Sequence, residues 1–112
     1  MNTQQSIEVF SGHSPQGKVE LLAQFSHELT ILAREGYAPG TEELNDPRRL
    51  RVLNELQHRI TGFLLALLTN DLQRFSDEVL VRMILESGDN DRLNTEIQAI
   101  FNTLVERSVV PS

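Results

Sequence analysis

The sequence predicts an all-α protein, either a four-helix bundle or an irregular four-helix array. Apolar residues recur at three- and four-residue steps through most of the chain, and glycine or proline separates the periodic segments. Helix start signals precede two of these segments. The expected helices span residues 18–35, 47–70, 77–87 and 91–107.

The first expected helix is an apolar stripe bounded by two glycines. Gly17 precedes the stripe and Gly36 follows it. Its apolar positions are spaced as on one face of a helix. They are Val19, Leu22, Phe25, Leu29 and Leu32.

The second expected helix carries the clearest start signal. Asp46 is a candidate N-cap, and Pro47 suits the first helical position, where its missing N–H is not needed. The apolar stripe that follows is the longest in the chain. It comprises Leu50, Leu53, Leu56, Ile60, Phe63, Leu64 and Leu67.

The third expected helix begins after Ser76, a hydroxyl N-cap followed by two acidic residues that suit a helix N-terminus. Gly88 ends it. Residues 79–85 are apolar nearly all round, so their pattern fits a buried helix or a buried strand. We predict a helix and keep the strand as the alternative.

The fourth expected helix follows a short polar turn. Asp89, Asn90 and Asp91 superficially resemble calcium ligands, but Ile100 stands where a calcium loop counted from Asp89 needs glutamate. We interpret them as a capping turn. The inner face of the helix is formed by Leu93, Ile97, Ile100, Phe101 and Leu104.

Length and charge limit the function classes. A chain of 112 residues suffices for one hydrophobic core, so we expect one domain. It would span residues 17–108, between an irregular arm over 1–16 and a tail over 109–112. The net charge of −6 argues against nucleic acid, although residues 46–75 sum to +2.

Composition also argues against several sites and locations. Cysteine is absent, and no two of the three histidines have metal-ligand spacing, so we expect no metal and no cofactor. The longest uncharged apolar stretch is far shorter than the ~20 residues of a membrane span. No secretory signal pattern opens the sequence. We therefore expect a cytoplasmic protein without membrane contact.

His58 is the first candidate functional residue. At about 100° per residue it points away from Ile60 and therefore outward. Residues 58–62, HRITG, resemble the active-site helix of histidine phosphotransfer domains, in which an apolar residue and a glycine follow the accepting histidine at the second and fourth positions. That resemblance implies a four-helix bundle with His58 as phosphoryl acceptor and Gly62 as clearance. Arg59 is then a candidate phosphate contact, and Thr61 stands where that family usually has lysine.

A second candidate is an interaction surface around Gly62. Glycine inside a helix costs about 1 kcal/mol relative to alanine, so close approach of another element should offset it. Gly62 and Ala66 form a flat strip, with Leu65 and Thr69 beside it. Since Leu65 and Leu68 extend the apolar surface, we expect enclosure on more than one side. The strip packs either inside the monomer or in a homodimer.

A third candidate is the arginine cluster Arg48, Arg49 and Arg51 at the start of the second helix, where the helix dipole disfavours positive charge. Glu42, Glu43 and Asp46 are candidate neutralising partners. The alternative is a patch for an anion or an acidic partner, because arginine recognises carboxylate and phosphate in a forked geometry.

The functional expectation is a protein-interaction module without catalytic activity. We expect an adaptor, regulator or inhibitor that binds another protein and self-associates. The acidic first and last thirds of the chain favour a basic partner. The alternative is a phosphotransfer module that uses His58.

Overall fold

The structure is a computed structural model that describes residues 2–35, 46–69 and 75–109, apart from the side chains of residues 46 and 69. Within these residues the chain is helical, without strands, so the all-α prediction is confirmed and residues 79–85 belong to a helix. The described residues form five helices rather than the four expected. The helices are α1 (Thr3–Ser11), α2 (Pro15–Glu35), α3 (Asp46–Thr69), α4 (Asp77–Leu85) and α5 (Asp91–Val109).

Helix α1 corrects the prediction of an irregular arm over residues 1–16. Asn2 caps it: its side chain accepts the backbone N–H of Gln5, and the Gln5 side chain accepts the N–H of Asn2. A helix this short is marginal alone and needs tertiary contacts. Ile7 and Phe10 supply them, since both are buried in the core.

Helix α2 begins three residues before the predicted start. The Ser14 hydroxyl accepts the N–H of Gly17 at 3.0 Å, and Pro15 occupies the first helical position. Gly17 therefore lies in the first turn of α2 rather than before it. Gly36, the predicted end signal, lies outside the described residues.

The caps of α4 and α5 agree with the predictions. Ser76 accepts the N–H of Val79, and α4 ends at Leu85, two residues before the predicted end. Asn90 accepts the N–H of Leu93 at 3.0 Å, so the turn before α5 is a capping turn. Gly88 supplies the positive φ of 79° in that turn, a conformation that favours glycine.

The core lies between all five helices, with α3 in contact with α2, α4 and α5. Phe25 of α2 meets Phe101 of α5 edge to face, with ring centroids 5.9 Å apart. The inner face of α3 is buried as predicted at Leu53, Leu56, Ile60 and Phe63, whereas Leu50 is exposed. This packing directs the opposite face of α3 toward solvent.

Candidate functional site

The outward face of the C-terminal half of α3 is the principal candidate surface. We call Gly62, Leu65, Ala66 and Leu68 the outer strip. Leu65 is 63% exposed and Leu68 is 70% exposed. The described part of the chain therefore does not enclose this side of α3 within one copy. Thr69 ends the helix, and its side chain is outside the described residues.

Gly62 leaves the backbone of α3 accessible. A Cβ atom built at Gly62 would meet no neighbouring atom within 4 Å. Ala66, one turn further, is half-buried. No packing inside the described monomer therefore offsets the cost of a helical glycine at this position.

His58 is exposed, as its position opposite Ile60 predicts. It lies one turn before Gly62 on the same face of α3. The open space over Gly62 therefore adjoins the imidazole, and a molecule approaching this face can reach both residues.

Arg59 has a different position from the one expected of a phosphate contact. Its side chain is only 10% exposed. Its Nη1 donates to the carbonyl oxygen of Ile84 at 3.2 Å and to Oδ1 of Asn94 at 2.8 Å, and its Nε donates to Glu55 at 3.1 Å. Arg59 thus joins α3 to α4 and α5.

The arginine cluster does not present one uniform surface. Arg48 forms a fork on Glu96 of α5, with Nε–Oε2 and Nη2–Oε1 distances of 2.9 and 2.8 Å. Hydrogen bonding from Arg48 lowers the pKa of Glu96, and the pKa of Arg48 is raised in turn. Arg49 is half-buried with interactions of its own, and Arg51 is exposed.

The neutralising partner of Arg48 in the described residues is therefore Glu96, which also accepts from Arg92 at 3.1 Å. The predicted partners Glu42 and Glu43 lie outside the described residues, as does the side chain of Asp46. Nothing in the spacing of the sequence indicates a pair 48 residues apart.

Polar contacts also hold α3 against α2. The Gln57 amide donates to the backbone oxygen of Ser26 at 3.1 Å and to the Thr30 hydroxyl. The hydroxyls of Ser26 and Thr61 lie 3.4 Å apart. Because these contacts occupy the α2 side of α3, they limit the accessible surface to the outward face.

A cleft lies at one end of the fold, and the sequence did not predict it. We call it the end cleft; its volume is about 500 Å³. Lys18 and Asp77 form an ion pair in its wall, with Nζ–Oδ distances of 2.9 and 3.1 Å. The lining residues are Phe10, Pro15, Gln16, Lys18, Val19, Leu67, Leu68, Phe75, Asp77 and Leu80.

Comparisons with family models, curated proteins and solved structures found no match to this chain. Among the described residues, no helix is both long and apolar enough to cross a membrane. The same residues contain no group of three or more metal-ligating side chains. The candidate functional features of the described residues are therefore the outer strip, His58 and the end cleft.

Proposed function

We infer that this protein is a small acidic interaction module that binds another protein through the outer strip of α3, without catalysis. The observation that carries this proposal is the exposure of Leu65 and Leu68 beside an open glycine. Single exposed leucines are ordinary on protein surfaces. Two on successive turns of one helix, beside accessible backbone, are typical of a contact surface.

The geometry favours a helix as the contacting element. Small residues at Gly62 and Ala66, four positions apart, allow another helix to approach the α3 backbone, while Leu65 and Leu68 provide apolar area. The net charge of −6 favours a partner with a basic surface. A second copy of the chain, meeting the same strip about a two-fold axis, is the self-associating form of this proposal.

A matched pair of variants tests the proposal. Leu65→Glu places a charge in the outer strip, whereas Leu50→Glu makes the same change at a 44% exposed leucine in the N-terminal half of α3. We expect Leu65→Glu to abolish partner capture and lower the solution mass measured by light scattering, and Leu50→Glu to preserve both. A strictly monomeric wild type that captures no partner would contradict the proposal.

Phosphotransfer through His58 is the second candidate, favoured by the exposed imidazole and the open space over Gly62. In this reaction an imidazole nitrogen attacks the phosphorus of a phosphoaspartate. A P–N bond forms, the acyl P–O bond breaks, and the carboxylate leaves. Arg59 takes no part, because it is engaged with α4 and α5.

The test of phosphotransfer uses acetyl phosphate and phosphorylated receiver domains as phosphoryl donors. Acid-labile phosphate should appear on wild type and on His27→Gln, which alters an exposed histidine of α2, and should be absent from His58→Gln. Equal labelling of both variants, or none on wild type, would rule out His58 as the acceptor.

A further inference from the structure

The end cleft has the construction of a small-molecule site. Residues from α1, α2, α3 and α4 line it, together with Phe75 just before α4. Its volume of about 500 Å³ falls within the range of roughly 300–1,000 Å³ typical of ligand pockets. Such pockets are mainly apolar with a few placed polar groups, and this composition matches.

The cleft extends from the core to the surface. Phe10 is 1% exposed and Leu80 is 5% exposed, so they form its inner wall, while Leu68 stands 70% exposed at its outer edge. A ligand seated there would cover the exposed side chain of Leu68. Burial of apolar surface on both molecules would then favour binding.

The charges in the cleft indicate the chemistry of the ligand. Lys18 donates to both carboxylate oxygens of Asp77, and its Nζ lies 5.6 Å from the centre of the Phe10 ring. The two groups neutralise each other and are about one-fifth to one-quarter exposed. Because Lys18 and Asp77 are the charged residues among the described lining residues, a charged ligand would have to separate this pair or lose hydration without compensation. An uncharged ligand avoids both costs.

We propose that the end cleft binds a small uncharged molecule with an apolar body and one hydrogen-bonding group. The apolar body contacts Val19, Leu67 and Leu80, and the polar group reaches the Lys18–Asp77 pair. This activity goes beyond the protein-binding function and does not depend on it. The two surfaces share one residue, Leu68, at the edge of each.

Two fluorescent probes with the same ring system test the ligand class. N-phenyl-1-naphthylamine is uncharged, whereas 8-anilino-1-naphthalenesulfonate carries a sulfonate; both brighten on leaving water. We expect saturable binding of the uncharged probe and at least about tenfold weaker binding of the sulfonate, because Lys18, the cation among the described lining residues, is already paired with Asp77. Equal affinities, or unsaturable binding of the uncharged probe, would overturn the proposal.

A matched pair of tryptophan variants tests the location. Val19→Trp fills the cleft, whereas Val79→Trp makes the same change at a 42% exposed position of α4 outside the lining. We expect Val19→Trp to weaken binding of the uncharged probe by at least about tenfold, since the indole occupies its volume, and Val79→Trp to leave it unchanged. Unchanged binding in Val19→Trp overturns the proposal.

A second pair keeps the test decisive if Val19→Trp fails to fold, which circular dichroism reports. Leu68 is exposed enough to tolerate glutamate, and Leu68→Glu introduces a charge at the cleft edge. It should weaken probe binding, whereas Leu65→Glu should not. Loss of probe binding in Leu65→Glu together with loss of self-association would place the probe between two copies and overturn the cleft proposal. Loss of self-association in Leu65→Glu with probe binding intact is the result that both proposals predict.

Discussion

The two halves of α3 share one buried stripe and differ in what flanks it. In residues 46–60, Arg48, Gln57 and Arg59 bond to α5, α2 and α4 on either side of the stripe. In residues 61–69, Gly62 is open, and two leucines are exposed. The stripe thus determines which face of α3 enters the core. The polar residues beside the stripe bond the first half of α3 to three other helices, whereas the second half presents an accessible surface.

The largest expected difference between the halves is in stability. Leu56→Ala in the first half removes a fully buried side chain and should cost about 2–5 kcal/mol of unfolding free energy, through lost burial and a cavity. Leu68→Ala in the second half should cost the monomer under ~0.5 kcal/mol because Leu68 is mostly exposed. Urea unfolding at a concentration where the protein is monomeric measures both. Equal costs there would contradict the exposure of Leu68.

The flanking contacts of the first half should produce the next largest effect. Arg59→Met retains an apolar stem but leaves Ile84 and Asn94 without the donor that Arg59 supplies, a change expected to cost about 1–3 kcal/mol. Arg51→Met, at an exposed arginine of the same helix, is the control, with an expected change within ~0.5 kcal/mol. Equal unfolding midpoints for the two variants would contradict the role assigned to Arg59.

In the second half, Gly62→Ala should stabilise the monomer. The added methyl group meets no neighbour, and alanine favours the helix, so we expect a gain of about 0.5–1 kcal/mol in urea unfolding. If a partner helix approaches the backbone there, the same variant should bind it less tightly. A more stable variant with unchanged association would show that contact does not pass over Gly62.

The smallest expected effect is the pH dependence of the Arg48–Glu96 pair, which is partly exposed. Hydrogen bonding from Arg48 lowers the folded-state pKa of Glu96, so the unfolded state binds more protons as the pH falls. The stabilisation is complete above the unfolded-state pKa of about 4.3 and is lost as the pH falls through the folded-state pKa. The advantage of wild type over Glu96→Gln should therefore shrink on acidification. A constant stability difference between wild type and Glu96→Gln across this pH range would contradict the stabilising role of the Arg48–Glu96 pair.

The features of the fold that were predicted correctly depend on signals between residues close together in the sequence. Ser76 caps α4, and the α3 stripe faces the core, because both effects act within a few residues. Helix α1 escaped prediction although Asn2 and Gln5 form a capping pair. Its apolar stripe, Ile7 and Phe10, covers a single turn. That is too little periodicity to identify a helix whose stability comes from tertiary contacts.

The candidate site was predictable only where it depends on helix periodicity. The exposure of His58 follows from its angular separation from the buried Ile60 around the helix axis, and predicting it requires no knowledge of tertiary contacts. The partners of Arg59 lie 25 and 35 residues away, on helices whose docking no spacing rule specifies. The end cleft likewise depends on how four helices meet. The sequence therefore offered Arg59 only as a candidate phosphate contact, whereas in the structure its side chain is 10% exposed and bonded to α4 and α5.

The contact between α1 and α5 has a consequence for the order of folding during synthesis. Ser6 donates to Asn102 at 2.7 Å, and Asn102 donates to Thr3 at 3.2 Å, across separations of 96 and 99 residues. Helix α1 leaves the ribosome before its docking site on α5 has been translated. Until then, Ile7 and Phe10 lack part of their cover, and closing so long a loop is slow. Helix α1 thus emerges before α2, α3, α4 and α5 but is among the last of these helices to dock, and the nascent chain carries exposed apolar side chains until synthesis of α5 is complete.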